Sequence, residues 1–101
     1  MAAADILIDT AGFLALWDAA DENHARAVHL QSELTRKRRQ FLTTDYMVGE
    51  TVTLLLARHG HGAAADFLET SLESKSLRLE WIDSERFHAA AELFRRHDDK
   101  E

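Results

Sequence analysis

FLTTDYMVGETVTLLLARHG, residues 41–60, reads as a short strand that runs straight into a helix. Phe41-Leu42-Thr43 is brief and β-prone, and Thr44 or Asp45 can cap the helix that follows. The helix is expected to stop at Gly60, just after Arg58 and His59, whose cationic side chains suit the negative end of a helix dipole. Between Tyr46 and Ala57 the one charged residue is Glu50. A helix that apolar on most sides is expected to be buried, and a buried carboxylate needs a proton, a cation or a metal to offset its lost hydration. An acidic site is therefore expected at Glu50.

Toward the amino terminus, residues 5 to 9 form another short apolar run, Ile6-Leu7-Ile8, that ends in Asp9-Thr10. It reads as the first strand. In open α/β sheets ligands collect outside the carboxyl ends of the strands, where Asp9 would stand. Thr10 can cap a helix through Trp17, with Phe13, Leu14 and Trp17 at helical spacing, until the stretch Asp18 to Asn23 breaks it. Asn23 can cap a second helix that carries Ala27, Val28, Leu30 and Leu34 and ends in the basic run Arg36-Lys37-Arg38-Arg39.

Beyond Gly60 a further helix spans Gly62 to Ser74 with Phe67, Leu68 and Leu72 as its packing face. LRLEWI, Leu77 to Ile82, alternates apolar and polar residues and is the third strand. Ser84 then caps a last helix with Phe87, Ala90, Ala91 and Phe94 on one side. Strands that alternate with helices imply a parallel sheet covered by helices, because parallel strands need crossover connections. The expected class is α/β. Neither an internal repeat nor a proline-rich linker divides residues 1–101, so one domain is expected.

The formal net charge of −6 argues against a module that grips nucleic acid by bulk electrostatics, since phosphate binding draws on clustered Lys and Arg. It leaves room for an enzyme that meets nucleic acid through metal. Four of the twelve cations lie together at Arg36–Arg39, either as the solvated end of a helix or as a local phosphate contact. With no cysteine, the chain has neither disulfides nor a thiolate nucleophile, which fits a cytoplasmic location. The apolar opening lacks a basic leader region and is interrupted by Asp5 and Asp9, so export is not expected.

No Ser, His and Asp set stands in a recognisable arrangement, so the chemistry falls to the acids. Carboxylates are hard oxygen ligands that favour Mg²⁺ or Mn²⁺ over zinc, and such a metal can activate water and neutralise charge on a phosphodiester. Asp9 has a plainer reading as a helix cap, and Glu50 as a solvated helix position. His59 and His61 read as a surface turn, His24 and His29 carry no ligand role, Trp17 and Trp81 read as core or interface residues, and Asp98 and Asp99 as a solvated helix end.

ILIDTAGFLALWDAADENHARA, FLTTDYMVGETVTLLLARHG and LRLEWIDSERFHAAAELFRRHDDKE, taken together, resemble PIN-domain proteins, specifically the toxin ribonucleases of bacterial VapBC toxin–antitoxin pairs. The likeness rests on the ordered set of strand-Asp-Thr, the Thr-Thr-Asp-Tyr helix start and Glu50. It implies a three-layer α/β/α fold with a short parallel sheet and Mg²⁺-dependent (or Mn²⁺-dependent) endoribonuclease activity. It also implies a homodimer and a cognate antitoxin. By position Asp9 is the family's first acid and Glu50 its second, both metal ligands, with Thr10 as the small polar residue beside the first. Family members continue into a further Thr-Asp helix start, a strand and a helix that supply a third and usually a fourth acid, which nothing here matches. The expectation is thus an incomplete PIN domain, weak or inactive as a ribonuclease. The alternative is a non-enzymatic remnant that binds protein or nucleic acid.

Overall fold

A computed structural model describes residues 5–96. In chain order the elements are β1 (Ile6–Leu7), α1 (Thr10–Trp17), α2 (His24–Arg36), β2 (Phe41–Thr44), α3 (Asp45–His59), α4 (His61–Glu73), β3 (Leu77–Glu80) and α5 (Ser84–Arg96). The strands form one parallel sheet in the order β1-β2-β3, as the α/β expectation requires. β1 is shorter than its apolar run. Ile8 still donates to the Leu42 carbonyl at 2.8 Å, but Asp9 already leaves the ladder to cap α1.

Register explains which side chains enter the core. Phe41 pairs with Ile6 and Leu77, and Thr43 with Leu79. Partners in a parallel ladder share a face of the sheet, and successive residues alternate faces. Phe41 and Thr43 are accordingly buried, and Leu77 and Leu79 pack against the core. That core is Phe13 and Leu14 of α1, Val48 and Leu55 of α3, and Ala64 and Phe67 of α4. Phe67 meets Phe13 edge-on at 5.0 Å between ring centroids and Trp17 at 5.5 Å, an arrangement that aromatic quadrupoles favour.

Two fully buried threonines find acceptors. Thr43 donates to the Ile8 carbonyl at 2.9 Å and Thr51 to the Met47 carbonyl at 2.7 Å. On the opposite face of the sheet Arg78 pairs with Asp5 at 2.9 Å and Glu80 at 3.4 Å, so charge occupies the positions that the second register leaves outward. Gly60, at φ 90, turns α3 into α4, a conformation that suits glycine.

Three helix faces differ from expectation. Phe87 and Phe94 of α5 are exposed rather than packed, and among the described residues no element covers that side. Leu68 and Leu72 are exposed beside the fully buried Phe67, and Val28 and Leu30 of α2 are exposed too. Amphipathic spacing identifies a helix and its apolar side, but whether that side is covered depends on partners distant in sequence.

Candidate active site

Because the three strands are parallel, their carboxyl ends lie along one rim, and the connections that leave it carry Asp9, Asp45 and Trp81. Asp9 is extended, at φ −94 and ψ 179, and its Oδ1 accepts from the Gly12 backbone N–H at 2.9 Å. Asp9 is therefore the N-cap of α1, the plainer of its two readings, and Thr10, the other candidate cap, falls at the first helical position. That placement frees the Thr10 hydroxyl. It donates to Oε1 of Glu50 at 2.6 Å, across forty positions of sequence, and so ties the start of α1 to α3. At the second strand Thr44 caps α3 by accepting from the Met47 N–H at 3.1 Å, and Oδ1 of Asp45 accepts from the Ile82 N–H at 2.8 Å.

Glu50 is exposed, not buried. The buried stripe of α3 is Val48, Thr51 and Leu55, and at about 100° per residue Glu50 falls well round the helix from it. Scarcity of charge does not mean burial on every side: Tyr46 and Leu56 of the same helix are exposed as well. Glu50 instead borders an open groove of about 630 Å³ with Asp45, Tyr46, Gly49, Thr53 and Leu54.

The Thr10 bond ties Glu50 to the residue that follows Asp9, and among the described residues no group of three or more acids and histidines gathers to make a metal-binding cluster. The chemistry of Asp9 and Glu50 fits a hard divalent cation. Each carboxylate has one oxygen held by an internal donor, and Oδ2 of Asp9 and Oε2 of Glu50 make no hydrogen bond to a described residue.

The basic run is not brought to this rim. Arg36, Lys37 and Arg38 are exposed, Arg39 is half-buried, and Arg36 pairs with Glu33 of its own helix. They precede β2, at the amino ends of the strands, roughly 15–20 Å from the carboxyl-end rim at about 3.3 Å per residue. Asp98 and Asp99 lie outside the described residues.

Two residues, one in the site and one away from it, were not singled out by sequence. A Cβ on Gly12 would stand 3.2 Å from Ile8 Cγ2 and 3.4 Å from Asp9 Oδ1, so glycine lets the backbone approach the carboxylate that it holds. The signal was its place three residues after a capping acid. Asp18, read as part of a helix-breaking stretch, is buried at the far end of α1, where it accepts from Ala20 N–H at 2.9 Å and meets His59 at 3.1 Å and Arg58 at 3.6 Å. These donors, the Ala20 N–H first, hold its carboxyl below the usual range against the opposing pull of desolvation. His59 thus has a partner that a turn reading does not give it, while His24 turns Nδ1 to the Ala15 carbonyl at 2.8 Å. Trp17 packs on Phe67, but Trp81 is exposed on the rim and outside the core.

The PIN-domain family model matches residues 6–101. The chain belongs to the PIN-domain family. This PIN domain is similar to the 23S rRNA-specific endonuclease VapC20 of Mycobacterium tuberculosis, with 34% identity over 96 residues, 95% of this chain and 70% of that protein, in both the CDC 1551 and H37Rv strains. The crystal structure of VapC20, a toxin that cleaves the sarcin-ricin loop, superposes with a TM-score of 0.75 at 32% identity, covering 96% of this chain and 72% of that one. The short parallel sheet and its helices thus match a PIN-like fold, and the domain is homologous to a toxin ribonuclease.

Proposed function

We propose that this PIN-domain protein is a metal-dependent endoribonuclease of the toxin type, with Asp9 and Glu50 as its metal ligands and Thr10 as the residue that positions Glu50. The observation that carries this reading is the 2.6 Å hydrogen bond from Thr10 to Glu50, which holds an acid of α3 against the residue that follows Asp9, at the rim where α/β sheets bind ligands. Mg²⁺ or Mn²⁺ is the ion that two carboxylates favour, and when bound it supplies charge neutralisation at a phosphodiester and a more acidic water. The chain's own part is orientation. Gly12 N–H fixes one oxygen of Asp9, Thr10 fixes one of Glu50, and the other two oxygens are left toward solvent.

Among the described residues two carboxylates are available to the ion, which is placed less tightly by two than by a larger set, so the expected cleavage is slow. The substrate is RNA, as the 23S rRNA specificity of VapC20 supports. A cognate antitoxin and a homodimer are the expected protein partners, in keeping with toxin homology. Arg36, Lys37 and Arg38 offer phosphate contacts away from the cleavage point. No helix among the described residues is long and apolar enough to cross a membrane, and a cytoplasmic place is the one in which RNA and such a toxin meet.

The test is cleavage of labelled RNA with Mg²⁺, with Mn²⁺ and with chelator, beside an NMR titration with Mg²⁺. Asp9→Asn is the informative variant, because Asn caps helices as well as Asp does and so separates the cap from the ligand. We expect slow metal-dependent cleavage that Asp9→Asn and Glu50→Gln abolish, with metal-induced shifts at both acids. Absence of cleavage together with unshifted Asp9 and Glu50 signals at millimolar Mg²⁺ would overturn the proposal in favour of a non-enzymatic binding module.

A further inference from the structure

Gly49 lies inside α3, where glycine is unfavourable by about 1 kcal/mol relative to alanine. Internal packing does not explain it: a Cβ built there meets nothing within 4 Å, and its φ is not positive. The fold would accept a larger residue, so the missing side chain points to something that approaches α3 from outside. Beside it stands Tyr46, 67% exposed and one turn before Glu50 on the same side of the helix. Both border the open groove with Gly49 between them, and the exposed Thr53 donates its hydroxyl to the Gly49 carbonyl of the same helix at 3.1 Å. One rim is fixed by Asp45, whose carboxylate accepts from the Ile82 N–H.

From these residues we infer that the groove seats a nucleotide base of single-stranded RNA, stacked on Tyr46 over the bare backbone at Gly49, next to the phosphate addressed by Glu50. This rests on the ribonuclease reading and adds to it the residues that hold substrate. Three observations favour RNA as the occupant. The groove is continuous with the acid pair, since Glu50 itself lines it. Tyr46 stands about 5.4 Å, one helical turn, from Glu50, within reach of the base that flanks a phosphate held there. Among the described residues no Lys or Arg lines the groove, so phosphate attraction from them supplies nothing at this spot, whereas an exposed aromatic ring supplies the sequence-tolerant stacking by which proteins hold single strands.

The experiment measures fluorescence anisotropy of a short fluorescein-labelled single-stranded RNA in Mg²⁺ buffer, and of an equally long oligomer without bases. The proteins are wild type, Tyr46→Phe, Tyr46→Ala and Gly49→Leu. Leucine is chosen because it favours helix and would fill the space beside Tyr46. We expect Gly49→Leu to melt at or above the wild-type temperature, which excludes misfolding as the cause of any loss. Tyr46→Ala and Gly49→Leu should each weaken RNA binding about 5- to 150-fold, the span of base–aromatic stacking, while Tyr46→Phe binds as wild type. The baseless oligomer should bind all four proteins alike.

If wild type binds RNA but Tyr46→Ala binds it equally well, the base seat is overturned and the ribonuclease reading stands. If wild type binds no RNA, both fall. If Gly49→Leu leaves RNA affinity intact but lowers the mass seen by light scattering, the groove is a contact between two copies of the chain, and the inference is overturned.

Discussion

Replacing Thr10 by valine removes a single hydroxyl while keeping shape, and it separates the positioning of Glu50 from the stability of the fold. The lost hydrogen bond is short, 2.6 Å, with a carboxylate as acceptor, which places it among the charge-assisted kind. Glu50 is exposed, so water can replace the donor, and the stability cost should stay under about 1 kcal/mol. In a domain of this size that is a fall of no more than about 4–8 °C in Tm. The effect on metal should be larger. Groups that orient a ligand without touching the ion typically cost about 10–100-fold in affinity when removed, which is about 1.4–2.7 kcal/mol at 1.36 kcal/mol per tenfold. Mn²⁺ titration followed by electron paramagnetic resonance, alongside thermal melts, reads both quantities. Thr10→Ser keeps the hydroxyl and should restore binding. The reasoning is refuted if Thr10→Val binds Mn²⁺ as wild type does while Glu50→Gln does not, since Glu50 would then need no tether. A melt lowered by far more than the stated range would also refute it, because the bond would then be a structural strut.

Two further outcomes test the frame around the site. Leu55 is 1% exposed at the centre of the core, so Leu55→Ala should cost about 2–5 kcal/mol in a urea titration, whereas Glu50→Gln should cost under about 1 kcal/mol; comparable losses would contradict the assigned faces of α3. Asp18 is held below its ordinary pKa chiefly by the Ala20 N–H and then by His59 and Arg58, so its stabilising effect is complete above the ordinary carboxylate range and is lost as pH falls through the lowered native value. Tm of wild type should therefore drop more steeply below about pH 4 than that of Asp18→Asn, and parallel profiles would show that Asp18 does not govern the acid limb.

The stretch 41–60 was legible because its signals are local. Thr44 caps, Gly60 stops, and the strand enters the helix without a loop. Thr10 beside Asp9 was legible as a neighbour, but not as the donor that reaches Glu50, since that bond depends on how α1 packs against α3. The burial of Glu50 was misjudged for a related reason. Composition reports how apolar a helix is, whereas only tertiary packing chooses the side that is covered, and here it chose Val48, Thr51 and Leu55. Thr51 would not have been picked as core by type, yet its hydroxyl is met by the Met47 carbonyl and so enters at little cost. Asp18 went unread because its partners Arg58 and His59 lie forty residues on, and no spacing rule links them.

Exposure of Glu50 changes the physical case for a metal without removing it. A fully buried carboxylate would tend to take up a proton, and a neutral acid is a poor ligand for a hard cation. With one flank in water and one oxygen tethered by Thr10, Glu50 is hydrated without a permanent partner and still holds its direction. Asp9 solves the same problem differently, with one oxygen spent on capping α1 and the other left over. Each acid is thus held by one structural hydrogen bond, and neither needs the ion in order to fold. A site built this way is preorganised but weak, because its exposed ligands are already satisfied in part by internal donors and are readily rehydrated when the ion leaves. Tight metal binding would have to come from substrate oxygens on the ion, so metal and RNA should bind each other's complexes more tightly than the protein alone, a reciprocal coupling that linkage requires.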